Sequence, residues 1–260
     1  MKGKHHIIIE SARLKYEFDI KRNITIIQGD SATGKTTLID LLFDYQNDRE
    51  NSPVRIESDV PCEVLAGAGD RWRAILELIT DSIVFIDEEN HFIRQKEFAE
   101  VVQGSTNYYV LITREALPIL PYSIREIYGI RTSGKYHFPE KIYHEFYPIY
   151  EELASSSAEA EQGLKMITED TDSGNQFFSS FFKESGNCIG AGGNSKVYST
   201  MRDQDADCLL SVIADGAAFG AFAARVLEYA KERGKVLLYL PESFEWLILK
   251  SSLTHRGTTE

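Results

Sequence analysis

Two periodicities organise the first 130 residues. Leu14, Tyr16, Phe18 and Ile20 alternate with polar positions, the period of a half-buried strand, and Ile7–Glu10 before them reads as another strand. Lys21-Arg22-Asn23 supplies the turn after Ile20. Ile24–Gln28 is a short run rich in β-branched residues, as expected for a parallel strand buried on both faces. Leu38, Leu41, Leu42 and Tyr45 then fall at helical spacing within Thr36–Tyr45. Val54–Glu57 and Glu63–Leu65 read as short strands, and Arg71–Thr80 as a helix through Trp72, Ile75, Leu76 and Ile79. Ser82–Ile86 reads as a buried strand, Gln95–Val102 as a helix and Tyr108–Ile112 as a strand. Strands alternating with helices predict a parallel sheet covered on both faces.

Gly129–Pro139 interrupts the pattern and is read as the end of a first domain over residues 1–135. Residues 136–162 are expected to be a linker region. Within it Phe138, Tyr143, Phe146, Tyr147 and Tyr150 read as a core or interdomain face, with base stacking the lesser alternative because Glu140, Glu145, Glu151 and Glu152 stand beside them. Ala154–Gln162 is small and polar. The alternation restarts with a strand at Leu164–Thr168, a helix over Asn175–Lys183, a short strand at Cys188–Ile189 and a helix from Ser195. It continues through a buried strand at Cys208–Ala214, a helix over Ala217–Glu232 stopped by Gly234, a strand at Val236–Leu240 and the apolar Phe244–Leu249. A second, smaller α/β domain over residues 163–260 is therefore expected.

Composition leaves this picture unchanged: 260 residues, 43% hydrophobic and 26% charged, describe an ordinary globular chain. Charge narrows it. Forty acidic against 28 basic side chains give a net charge of −12, so a nucleic-acid partner is not favoured, because binding phosphates needs a basic surface. Cys62, Cys188 and Cys208 form no CxxC pair and read as free thiols. Ile7–Ile9 is too short for a signal sequence, and no run approaches the roughly 20 apolar residues of a membrane span. A cytoplasmic protein without a membrane partner is expected. The six histidines lack zinc-site spacing, and His5-His6 reads as a solvated pair. Arg71 and Arg73 read as the exposed face of their helix rather than as lid arginines.

The chemistry concentrates in one loop. Gly29-Asp30-Ser31-Ala32-Thr33-Gly34-Lys35-Thr36 fits G-x-x-x-x-G-K-[ST] at every fixed position, between an apolar strand and an amphipathic helix. Such a loop folds its backbone N–H groups around an anion, and the helix start adds its positive dipole end. Lys35 is expected to reach the β and γ phosphates, Thr36 to hold Mg²⁺, and Thr37 to complete the nucleotide site. The partner motif is Ser82-Ile83-Val84-Phe85-Ile86-Asp87-Glu88: Asp87 at the strand end would hold Mg²⁺, and Glu88 would polarise the attacking water.

With these two motifs the chain resembles the P-loop NTPases, in the division with an added strand between the motifs and a glutamate after the Mg²⁺ aspartate. The segment FDIKRNITIIQGDSATGKTTLIDLL, residues 18–42, looks most like the cores of ABC-type ATPases, although no LSGGQ-like signature is present and the chain between the motifs is too short for the usual helical insert. The resemblance covers roughly residues 5–130 and implies that Thr113, at the end of YYVLITR, senses the γ-phosphate and that Arg114 stabilises charge. No N-K-x-D motif is present, so ATP is expected rather than GTP.

In the second half Glu169-Asp170-x-Asp172 and Asp215 follow strands, where converging acids can hold Mg²⁺. Residues 164–240 weakly resemble a TOPRIM domain, which carries a glutamate after its first strand and Asp-x-Asp after its third. Glu169 and Asp215 match, but the second acid of Asp-x-Asp is Ala217 here. The two modules are joined in the overcoming-lysogenization-defect nucleases. The leading expectation is an ATP-binding and ATP-hydrolysing protein with Mg²⁺ and a C-terminal regulatory or partner-binding module, degenerate as a TOPRIM domain. An ATP-gated, Mg²⁺-dependent nuclease and a small-molecule kinase are the alternatives, and a homo-oligomer is left open.

Overall fold

The computed structural model describes residues 3–29, 33–137, 141–150, 163–181 and 187–251, without the side chains of 135–137 and 181. The fold is mixed α/β, with a large, mostly parallel sheet and a second, four-stranded sheet. The chain divides into two compact units, Met1–Leu120 with Glu126–Ile149, and Pro121–Arg125 with Tyr150–Glu260.

The first unit runs β1 (His5–Glu10), β2 (Leu14–Ile20), β3 (Ile24–Ile27), α1 (Lys35–Asn47), β4 (Arg55–Glu57), β5 (Cys62–Val64), α2 (Trp72–Leu76), β6 (Ile83–Ile86), α3 (Lys96–Gly104), β7 (Tyr108–Ile112), β8 (Ile127–His137) and β9 (Lys141–Pro148). Its nine strands are ordered β4-β1-β2-β9-β8-β3-β7-β6-β5. Every residue of β3, β6 and β7 is buried, which explains their unbroken apolar runs. These strands are parallel, in register Ile27↔Ile112 and Ile86↔Leu111, so their C-terminal ends share one sheet edge. β1 and β2 are antiparallel, and Tyr16, Phe18 and Ile20 turn inward as their alternation predicts.

Three expectations for this unit need correction. Gly129–Pro139 is no break: residues up to His137 belong to β8, and Gly129 is there because a Cβ would lie 2.4 Å from the Tyr147 ring on β9. The expected 136–162 linker accordingly contains β9, whose Phe146 stacks flat on Phe18 at 3.9 Å; residues 151–162 lie outside the described ones. The helix expected over Arg71–Thr80 is a 3₁₀ turn and the five-residue α2, because the chain tightens into i→i−3 bonds at Leu78 and Ile79. Arg73 on it is exposed and pairs with Glu77. Finally, only His6 of the histidine pair is solvated. His5 is 5% exposed, edge-on to the Tyr108 ring and bonded through Nδ1 to Asp59 at 2.8 Å.

The second unit runs β10 (Leu164–Thr168), α4 (Ser173–Phe181), β11 (Cys188–Gly190), α5 (Asn194–Arg202), β12 (Leu209–Ile213), α6 (Gly220–Arg233), β13 (Val236–Tyr239) and α7 (Phe244–Lys250). Its sheet, β11-β10-β12-β13, is wholly parallel. Ile167, Leu210 and Val212 pack with Val197 and Met201 of α5 and Ala223 and Val226 of α6. Gly234, at φ 72, ends α6 with its N–H on the Ala230 carbonyl. α6 starts three residues later than expected because Gly216 and Ala217 donate instead to the Pro241 and Glu242 carbonyls. All three cysteines are free thiols. Among the described residues no helix is long and apolar enough to cross a membrane.

Candidate functional site

β3 ends at Ile27, and the chain leaves the sheet edge through Gln28 and Gly29 to return at Thr33 and enter α1 at Lys35. Asp30, Ser31 and Ala32 lie outside the described residues. Gly34 stands at φ 95, the left-handed region, where a Cβ would sit 2.8 Å from the Tyr16 hydroxyl. That hydroxyl donates to the Gly34 carbonyl at 2.9 Å, so β2 ties down the entrance to the helix. Lys35 is 7% exposed, and its ammonium donates to the Gly29 carbonyl at 2.7 Å and to Thr33 Oγ1 at 3.1 Å. The lysine thus bridges Gly29 and Thr33 across the loop.

The parallel register brings the ends of β6 and β7 to the same edge. Asp87, Glu88, Glu89 and Arg114 line one cleft with Thr33–Thr37, and the cleft measures about 720 Å³. Burial pushes the Asp87 carboxyl above its ordinary pKa; the Glu88 amide, which donates to Oδ1 at 2.7 Å, opposes this, and the carboxylates of Glu88, Glu89 and Asp40 add to it. Glu88 is held by Arg114, Nε to Oε1 3.1 Å. Thr113 is fully buried and does not line the cleft. Its hydroxyl donates to the Glu115 carbonyl at 2.9 Å and accepts the Glu115 N–H at 3.1 Å, closing the turn after β7.

Sequence reasoning missed the other wall. β8 pairs with β3 only at Ile127 and Tyr128 and then runs past its end, carrying Ile130, Arg131 and Thr132 alongside the loop. His144 of β9, in register with Thr132 and with Tyr16, joins them. Arg131 pairs with Glu145 at 2.9 Å and lies over the Tyr147 ring. The register of the hairpin carries this wall, and no local motif announces it.

In the second unit Glu169, Asp170 and Asp215 line a pocket of about 100 Å³ at the C-terminal ends of β10 and β12. Their oxygens serve the backbone. Glu169 accepts the Asp215 N–H at 2.8 Å, and Asp215 accepts the Phe244 N–H at 3.1 Å at the start of α7. Asp170 accepts the N–H groups of Gly174 and Asn175, both at 2.9 Å, in the first turn of α4. Burial raises the pKa of both Glu169 and Asp215. Asp172 is exposed. Among the described residues no group of three or more His, Cys, Asp or Glu is arranged to hold a metal ion.

A scan against protein-family models finds no match to this chain, and a search of curated proteins finds none either.

Proposed function

We propose that the first unit binds a Mg²⁺–nucleoside triphosphate, ATP being the expected nucleotide, and hydrolyses it. Lys35 carries this assignment. Its ammonium, nearly buried at the start of α1 and braced on the Gly29 carbonyl and Thr33 Oγ1, sets a fixed positive charge beside the cleft. Phosphate oxygens are the chemistry that such a charge and a helix N-terminus recognise together. The donors fit the metal as well: Thr36 and Asp87 would hold Mg²⁺, which would neutralise the crowded carboxylates that raise Asp87. Arg114 orients Glu88, leaving that carboxylate at the strand edge to position water, while Lys35 and Arg114 offset negative charge developing on the phosphoryl oxygens. The strand order adds support, with β7 lying between β3 and β6 as the resemblance to P-loop NTPases implies. Titration calorimetry with MgATP tests it: Lys35→Ala should weaken binding about 30-fold, or about 2 kcal/mol. Unchanged affinity in this variant removes the assignment.

For the second unit we infer a regulatory or partner-binding role rather than metal-dependent cleavage. Glu169, Asp170 and Asp215 are engaged by backbone N–H groups, and Ala217 brings no further acid. No cleavage of DNA or RNA is expected from the intact chain with ATP and Mg²⁺ or Mn²⁺. Cleavage that is lost in both Glu169→Ala and Asp215→Ala would make the nuclease reading the better one.

A further inference from the structure

His144 has no counterpart in the loop motif, yet it stands against the loop. Its strand pairs with β2, which puts its imidazole against the Tyr16 ring, centroids 4.6 Å apart. A Cβ placed on Gly34 would lie 3.4 Å from His144 Cε1 and 3.5 Å from Nε2, so that edge of the imidazole faces the residue before Lys35. Nδ1 is sealed from solvent and has no hydrogen-bond partner among the described residues. The ring can therefore act on a ligand only through Nε2, which lies on the edge beside Gly34, and both residues line the cleft.

We propose that His144 reads the phosphate chain of the bound nucleotide: its Nε2–H donates a hydrogen bond to a phosphate oxygen held at Gly34, making β9 part of the site. The inference rests on the nucleotide reading of the cleft given above. Three observations support it. The two arginines lining the cleft are already engaged, Arg114 by Glu88 and Arg131 by Glu145, whereas His144 makes no hydrogen bond or ion pair among the described residues. The sealed Nδ1 fixes which nitrogen can serve a ligand. Burial also lowers the imidazole pKa, which favours an uncharged, directional donor beside the charge of Lys35.

Glutamine places its amide nitrogen near the position of Nε2, and asparagine only near that of Nδ1. In the full chain, with MgATP and MgADP measured by calorimetry, His144→Asn should bind about tenfold more weakly than wild type, while His144→Gln should stay within about threefold. Melting curves of both variants establish that they fold. Wild-type affinity in both variants overturns the proposal, and an equal loss in both replaces it with a packing role against Tyr16. A second readout needs no variant to fold: the His144 Nε2–H proton and nitrogen signals should shift on nucleotide addition as that proton enters a hydrogen bond, and unmoved signals overturn the proposal. Failure of the wild type to bind MgATP overturns the nucleotide reading itself. MgATP binding that depends on Lys35 but not on His144 overturns this inference alone.

Discussion

The two sheet edges of this protein look alike in sequence and differ in what their acids do. Each is the C-terminal edge of parallel strands, and each carries carboxylates that burial pushes above their ordinary pKa, Asp87 in the first unit and Glu169 and Asp215 in the second. At the first edge the acids face an open cleft with Lys35 and Arg114 beside them. At the second, Glu169 holds the Asp215 amide, Asp215 the Phe244 amide and Asp170 the first turn of α4, around a pocket one-seventh as large. Asp87 too accepts a backbone N–H, from Glu88, so the edges differ in the open cleft and the cations beside the acids rather than in the backbone bond itself.

Three measurements break or sharpen that contrast. The largest effect is expected at Glu88, held by Arg114. Glu88→Gln should keep MgATP binding and slow single-turnover hydrolysis about 10²-fold, the scale of a positioned base. Equal turnover would leave the first edge a binding surface. Next in size, Asp170→Ala should cost about 1 kcal/mol in denaturant unfolding by freeing two N–H groups of α4, whereas Asp172→Ala, at an exposed position, should be nearly neutral. Matching losses from the two would mean that Asp170 is not a capping residue.

The smallest effect concerns Asp87. Its carboxyl is raised first by burial and then by neighbouring carboxylates, so the folded state holds the proton more tightly than the unfolded chain does. The stabilisation from that proton is complete below the unfolded pKa of about 3.9 and is lost as pH rises through the folded value. Ionised Asp87 therefore lowers stability at neutral pH. Without Mg²⁺, Asp87→Asn should melt higher than wild type at pH 7, with the gain shrinking toward pH 4. A variant that melts lower at pH 7 would show that Asp87 is not under this strain.

Much of the architecture was legible because its signals are local. The buried strands β3, β6 and β7 are continuous apolar runs, and the spacing from Gly29 to Thr36 is contained in eight residues of one loop. The α/β alternation of the second half was readable for the same reason, with Gly234 in place as a helix stop. The β8–β9 hairpin was not. Gly129 and Gly134 look like breakers, and the Tyr147 ring that makes the first of them necessary lies 18 residues away on the opposite strand.

The amino-acid sequence by itself determined which residues were candidates for chemistry: a lysine and threonine behind a glycine loop, an Asp-Glu pair after an apolar strand, and scattered acids in the second half. Tertiary structure alone decided which of them are available. Glu169 is spent on an amide 46 residues away and His144 is brought to the loop only by pairing with β2, whereas Thr113 closes its own turn locally. The reason is physical. A loop's backbone conformation follows from contiguous residues, but a polar side chain serves whichever donor or acceptor the fold brings within about 3 Å, and sequence distance does not limit that choice.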